Sequence, residues 1–269
     1  MKEKIMNWKK FLTTIGGMWL AYLAYKVTTL ILLYTFDGLQ SKPYYEFIYF
    51  IIVMAITLVI LNWTKKFFKQ KIIFSPNVVA LKKQWSILIV PLFLYGIDTL
   101  AILPNTTEHS FYIVMASIAS ALGAAIFEEV RDRGFGGIGL ASSIENSQWK
   151  PMFIAIVTSF VFATTHYFNL LMPNAPTFVA TNQQVVFTFF LGMTSIVLYM
   201  RTGSIFYSIL IHFLNNFSFW TSTSDLSQDD GWASMLIFYA LIPGLYSIWC
   251  LRPKKAETNL KYLPDKQSD

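Results

Sequence analysis

Three short stretches of this chain place reactive side chains inside otherwise apolar runs. FEEVRDRG (127–134) contains Glu128, Glu129 and Arg133 as EExxxR, FATTH (162–166) contains Phe162 and His166 as FxxxH, and HFLNN (212–216) contains His212 and Asn216 as HxxxN. Each has an internal spacing of four, which on a helix sets the paired side chains on one face about one turn apart. Glu129 followed by Arg133 is also the favourable order for an ion pair along a helix. A carboxylate, two imidazoles and an amide in a partly dry cavity can activate water for attack on a carbonyl. A desolvated carboxylate suits a general base near neutral pH, histidine can bind a metal or hold the water, and asparagine can donate to a developing oxyanion. The set therefore suits peptide hydrolysis. Singly, each stretch has a plainer explanation: an interfacial charge cluster that stops a helix, a hydrogen-bonded packing histidine, or an asparagine joining two helices. Their occurrence in order on three different apolar segments is what argues for chemistry. The third histidine, His109, follows Glu108 in a short connection and reads as a solvated loop residue.

The elements that must position these groups are membrane helices. Hydrophobic residues make up 55% of the chain and charged residues only 13%, with a mean hydropathy of +0.48. A soluble domain carries about a quarter charged residues, so this chain has too little polar surface to cover itself in water. The expected fold is all-α: a polytopic membrane protein of about eight transmembrane helices in one bundle, because a bilayer core ~30 Å thick takes about 20 apolar helical residues to cross. The eight segments fall at 12–34, 45–63, 84–103, 111–131, 151–172, 184–200, 204–221 and 233–251. The resulting organisation is a transmembrane domain over 1–251, with its catalytic core at about 111–221, and a polar tail over 252–269. Only Arg201, Thr202 and Gly203 separate the sixth and seventh segments, enough for a tight hairpin.

Nineteen of the 21 lysines and arginines fall on one side of this layout, and the opposite connections are mainly acidic. Both termini are therefore expected on the cytoplasmic side. The net charge of +6 does not signal nucleic acid, since the basic residues lie between apolar runs and form no recognition motif. Membrane lipid and a membrane-associated peptide or protein are the expected partners, and the oligomeric state is open. The single cysteine, Cys250, excludes an intramolecular disulfide and a CxxC metal site.

Other polar residues within the segments need an account too, because a charge at mid-membrane costs roughly 2.5 kcal/mol or more. Lys26 and Asp98 lie at similar depths and are expected to pair with each other. GFGGIG (134–139) has a glycine spacing weakly like a dinucleotide loop but follows no strand, so a flexible hairpin is expected there. One difficulty is depth: with these boundaries Glu128 lies near one membrane edge and His166 more than halfway across. A later start of the fourth segment, near residue 117, with continuation through the glycine-rich stretch, and a fifth segment that begins beyond the membrane surface, would bring the motifs level.

EExxxR, FxxxH and HxxxN on successive spans resemble the CPBP family: CAAX prenyl endopeptidases of the Ras-converting type, Abi proteins and bacteriocin self-immunity proteins. The resemblance runs from about Glu128 to Asn216. It implies an intramembrane endopeptidase of a bacterial cell membrane in which Glu128, with His166, activates the attacking water. His212 and Asn216 would stabilise the oxyanion, with Glu129, Arg133 and Phe162 in support. Two mechanisms fit equally: a metalloprotease with zinc held by Glu128, His166 and His212, or a metal-free glutamate protease. Bacteriocin self-immunity and peptide maturation are candidate settings, and a non-proteolytic immunity protein that binds a membrane receptor complex is the alternative. The chain departs from the family pattern EExxFRG by having Asp132 where an aromatic residue is usual, preceded by Arg131.

Overall fold

The computed structural model describes residues 6–35, 44–102, 110–172, 175–221 and 231–255. His109 and residues 256–269 of the tail lie outside the described residues. The helices, in chain order, are α1 (Trp8–Thr35), α2 (Tyr44–Phe68), α3 (Val78–Lys83), α4 (Ile89–Ile102), α5 (Phe111–Glu129), α6 (Gly137–Ser143), α7 (Lys150–Thr164), α8 (Phe178–Thr202), α9 (Phe206–Thr221), α10 (Trp232–Met235) and α11 (Ile242–Leu251). The chain is an all-α polytopic protein. Six helical stretches are long and apolar enough to cross a membrane: Trp8–Leu32, Tyr44–Phe68, Phe111–Ser143, Lys150–Leu171, Phe178–Thr202 and Trp232–Leu251. The segments expected at 84–103 and 204–221 are also helical but shorter: a 3₁₀ turn, Trp85–Leu88, leads into α4, and α9 has 16 residues. Eight spans is thus approximate.

α8 is the central element, with 72% of its apolar window buried against 17–44% for the other five. α7, α9 and α11 pack around it, α5 packs between α2 and α9, and α1 lies against α6. Its C-terminus is closed by Gly203, whose φ of 69° sits in the left-handed region that favours glycine, and Gly203 N–H donates to Tyr199 O at 2.8 Å. Two residues later α9 begins.

The largest departure from expectation is the glycine-rich stretch. GFGGIG is not a hairpin: α5 continues through a π-helical segment, Val130–Gly136, directly into α6, giving one helical run from Phe111 to Ser143. The run starts at Phe111 rather than near 117, because Ser110, in extended conformation, caps it by accepting from Ile113 N–H. Within the π segment and α6 every residue is buried, and a backbone removed from water must satisfy its own polar groups, which a continuous helix does. The glycines serve close approach instead of flexibility. A Cβ at Gly139 would lie 2.6 Å from Thr14 Cγ2 and 2.8 Å from Phe68, and one at Gly136 would lie 2.8 Å from the Met18 sulfur. α1 therefore lays its Thr14 and Met18 side chains directly on the backbone of this run, as small residues allow between membrane helices.

This long run resolves the depth of the motifs. From Glu128 the helix descends about 22 Å to Ser143, and α7 climbs about 24 Å from Lys150 to His166, at 1.5 Å per residue, so the two return to one level. α1 is tied to the same floor, where Asn7 N–H donates to Ser143 O at 2.7 Å. α9 starts higher: Ile205 N–H donates to Ile73 O at 2.9 Å, and a Cβ on Gly134 would touch Ile72 and Ile205. Gly134 to Glu128 and Ile205 to His212 then each span about 9–10 Å at the same rise, which brings His212 to Glu128.

Substituting Gly139 by Ala should overpack the α1–α6 contact and destabilise the protein by about 1–3 kcal/mol, read as a lower Tm in detergent. Gly16→Ala, where nothing lies within 4 Å of the new methyl, should leave Tm unchanged or raise it.

Candidate active site

The site forms where α5 meets α9, with α7 across from them. Glu129 Oε1 accepts a hydrogen bond from His212 Nδ1–H at 2.8 Å, and the other edge of the same imidazole, Nε2, lies 3.3 Å from Glu128 Oε2. Glu129 Oε2 is paired with Arg133 Nε at 3.3 Å. The guanidinium of Arg133 also lies over the Phe162 ring, 4.4 Å from its centroid, and 3.5 Å from Asp132 Oδ2. Asp132 in turn accepts two bonds from Arg131, at 2.8 and 2.6 Å. Five charged residues of FEEVRDRG and His212 thus make one continuous chain of contacts. Glu129, Arg131, Asp132 and Arg133 are completely buried, whereas the Glu128 side chain retains 16% exposure. Of the two carboxylates, only Glu128 can reach a substrate.

Three consecutive charges are all buried because the run that carries them is enclosed on every side: the π segment Val130–Gly136 packs against α1, α2, α7 and α8, and every residue from Glu129 to Ser143 is buried. π segments are also frequent at functional sites. Room for the Arg133 guanidinium comes from Gly192 on α8, where a Cβ would lie 2.9 Å from Nη2 and 2.8 Å from Ser159 Oγ.

His166 falls where α7 tightens into the 3₁₀ segment Thr165–Leu171. Its Nδ1–H donates to Phe162 O at 3.2 Å, and the Phe162 ring meets His166 and His212 edge-on at 5.1 and 5.7 Å. Phe162 is therefore shared by both histidines and Arg133. Asn216 lies half-buried one turn beyond His212, its Oδ1 accepting from Asn215 Nδ2 at 3.5 Å.

The proton inventory follows from these contacts. With Nδ1–H committed to Glu129, a neutral His212 would point a lone pair at Glu128, and two acceptors at 3.3 Å repel. A proton shared between Glu128 Oε2 and His212 Nε2 would remove that repulsion.

Among the described residues no group of three His, Cys, Asp or Glu side chains is placed to hold a metal ion. Nδ1 is engaged in both histidines, with Glu129 in His212 and with Phe162 O in His166, so Nε2 of each is the nitrogen left for another partner. Lys26 Nζ donates to Asn169 Oδ1 at 3.1 Å, and the expected Lys26–Asp98 pair falls on the Asp98 side chain, which lies outside the described residues. An apolar groove of about 700 Å³ between α4 and α11, lined by Ile87, Val90, Ile242 and Trp249 among others, shares no residue with the site.

The motifs did not announce Arg131 and Asp132 as members, nor the wall that α1 contributes. Arg131 lies over the rings of Tyr22 and Phe127, at 5.0 and 5.4 Å. Tyr22 O–H donates to Thr165 O at 2.7 Å, and the Tyr25 ring is 4.8 Å from Phe127. YLAYK (22–26) carries the signal in its spacing, since Tyr22, Tyr25 and Lys26 share one helix face.

Fold and site together define a class: a multi-pass helical membrane protein with a buried carboxylate–histidine centre. Residues 110–218, about two fifths of the chain, match the family model described as type II CAAX prenyl endopeptidase Rce1-like. That span contains all three motifs, so the resemblance carried by EExxxR, FxxxH and HxxxN holds. Neither the curated proteins nor the solved structures contain a match to the chain.

Because Asp132 is the carboxylate that pairs with buried Arg131, Asp132→Leu should cost about 3–5 kcal/mol by leaving that guanidinium uncompensated. Arg131→Met with Asp132→Leu together should cost less than the sum of the single changes. Tm and detergent-solubilised yield of the three variants measure this, and strict additivity would show that the two residues do not act as a pair.

Proposed function

We propose that the chain is an intramembrane endopeptidase that hydrolyses a peptide bond in a membrane-associated peptide or protein by a metal-free, glutamate-based mechanism. The observation that carries the reading is the contact of partly exposed Glu128 with His212, held from behind by Glu129 and Arg133, inside the region similar to Rce1-like endopeptidases. On this reading the Glu128 carboxylate takes a proton from water as the water oxygen attacks the scissile carbonyl carbon. His166, with Nδ1–H fixed on Phe162 O, offers the Nε2 lone pair to the water's other hydrogen. The oxyanion accepts hydrogen bonds from the Asn216 amide and from Nε2–H of His212 when that nitrogen holds the shared proton. Glu128 then passes its proton to the leaving nitrogen as the C–N bond breaks, and the carboxylate is regenerated. Glu129 accepts from His212 throughout and so fixes which nitrogen faces the reaction, while Arg133 keeps Glu129 ionised. The distribution of basic residues supports an orientation with both termini on the cytoplasmic side.

Glu128→Gln, His166→Ala and His212→Ala should each lower cleavage of an S-farnesylated CAAX-type peptide by about 10²-fold or more, while the protein still inserts and elutes as a monodisperse peak. Full cleavage by all three variants would overturn the reading. Loss of cleavage with retained protection against a bacteriocin would separate a binding role in immunity from the hydrolytic one.

A further inference from the structure

Large apolar side chains cover much of the outside of this protein, as a surface that meets lipid requires. In one place that surface joins an apolar groove to a guanidinium that lacks an acceptor. The groove lies between α4 and α11 and has a volume of about 700 Å³, inside the range of about 300–1,000 Å³ usual for sites that hold one small molecule. Ile242, Leu245, Trp249 and Arg252 line it from α11 and its C-cap, following one another at spacings of three and four along a single stripe. From Ile242 to Arg252 the stripe is about 15 Å long at 1.5 Å per residue. That is half of a hydrocarbon core ~30 Å thick, the depth of one leaflet. Tyr246 O–H donates to Ile87 O at 2.7 Å, which ties α11 to the turn before α4 and fixes the floor of the groove.

The polar end of the groove is basic. The Arg252 guanidinium lies over the Trp249 indole, 4.7 Å from its ring centroid, and so is held in one orientation. Its Nε is shielded from solvent and makes no hydrogen bond, a state that a buried donor leaves as soon as an acceptor is offered. Lys82 and Lys83, exposed in the last turn of α3, come four and three positions before the groove residue Ser86, and exposed Lys254 comes two positions after Arg252. Exposed Trp85 and Trp249 stand at this same end, where indole rings gather at the boundary between lipid and water. An occupant that matches these features is apolar over the depth of one leaflet and anionic at its end. A phosphate oxygen pair fits the fork of Nε–H and Nη–H, and a lipid of net negative charge is drawn to the flanking lysines as well.

We infer that this groove is a binding site for one anionic phospholipid of the leaflet on the basic side of the protein. One acyl chain lies along Ile242, Leu245 and Trp249, and the phosphate accepts from Nε–H and Nη–H of Arg252. The site shares no residue with the Glu128 centre and is independent of the endopeptidase reading. Because the lipid binds α4 and α11 only when they are packed together, it also stabilises the folded chain.

The test uses the full chain, stripped of native lipid by detergent exchange and titrated with dioleoylphosphatidylglycerol, dioleoylphosphatidylcholine or inorganic phosphate. Bound molecules are counted by native mass spectrometry. One phosphatidylglycerol per chain should be retained at a concentration about tenfold or more below that needed for phosphatidylcholine, with a rise in Tm on binding, and inorganic phosphate should not be retained. Arg252→Gln should bring the two lipids within about twofold of each other, and Arg252→Lys, which keeps the charge but not the fork, should fall between. Leu245→Trp, which fills the groove, should weaken phosphatidylglycerol without touching the cations. Should Arg252→Gln fail to give a monodisperse peak, Arg252→Met replaces it, and the comparison of lipids on the parent chain decides without either. Equal retention of the two lipids, or an undiminished preference without the Arg252 charge, would overturn the site. So would several equivalent phosphatidylglycerols with none held more tightly, the mark of a basic surface alone, or phosphate binding as tightly as the lipid. A dimer that takes up no lipid and dissociates on Leu245→Trp would overturn it in favour of a second copy of the chain.

Discussion

Burying ionised groups among apolar helices is tolerable only when each finds an opposite charge or a strong hydrogen bond, and a membrane interior makes that requirement severe. Six successive residues of this chain, Glu128 to Arg133, contain five ionisable side chains, and four of them are removed completely from solvent. Arg131 and Asp132 satisfy each other, Asp132 reaches Arg133, Arg133 reaches Glu129, and Glu129 fixes His212. Each of these contacts sets one charged group against its neighbour and orients the next. The terminal pair, Glu128 with His212, is then both rigid on one side and open on the other. A reactive carboxylate needs that asymmetry: fixed geometry behind it, and access in front.

The network also dictates features of the surrounding fold. Three adjacent charges lie inward together because the π segment Val130–Gly136 that carries them is surrounded by α1, α2, α7 and α8. A glycine at 192 on α8 leaves the volume that the Arg133 guanidinium occupies, and Phe162 supplies an aromatic face for it. The helix that carries the charges must continue well past them, because α7 needs the length to climb back to their level. Gly136 and Gly139 let α1 settle against that continuation, which in turn sets Tyr22 and Tyr25 beside Thr165 and Phe127, the residues that precede His166 and Glu128.

Arg131 and Asp132 show how two further charges are accommodated within one buried motif. Asp132, directly before the motif arginine, takes its counter-charge from the preceding position, Arg131. The two together add no net charge to the cluster. Arg131 places a second guanidinium over Tyr22 and Phe127, so part of α1 becomes electrostatically coupled to the site.

Much of this was legible in the sequence. A helical bundle in lipid follows from apolar runs separated by basic connections, since hydropathy is a property of each segment alone. The four-residue spacings of Glu129 with Arg133, Phe162 with His166, and His212 with Asn216 follow from helical periodicity in the same way. What no segment could disclose by itself was how far each helix extends and which residues meet between helices. Residues 134–139 read as a hairpin because glycine is a weak helix former in isolation, yet packing against Thr14, Met18 and Phe68 makes them helical. The bond from Lys26 to Asn169 could not be read from either segment, since it is set by the return of the chain after α7 beside α1. Glu128, Glu129 and His212 are 83 or 84 positions apart in the chain, and only the level at which α5 and α9 cross decides that one imidazole lies between two carboxylates. Local composition and period fix which side chains share a face of one helix. Contact between helices is a property of their lengths, starting levels and close approaches, and these exist only in the folded bundle.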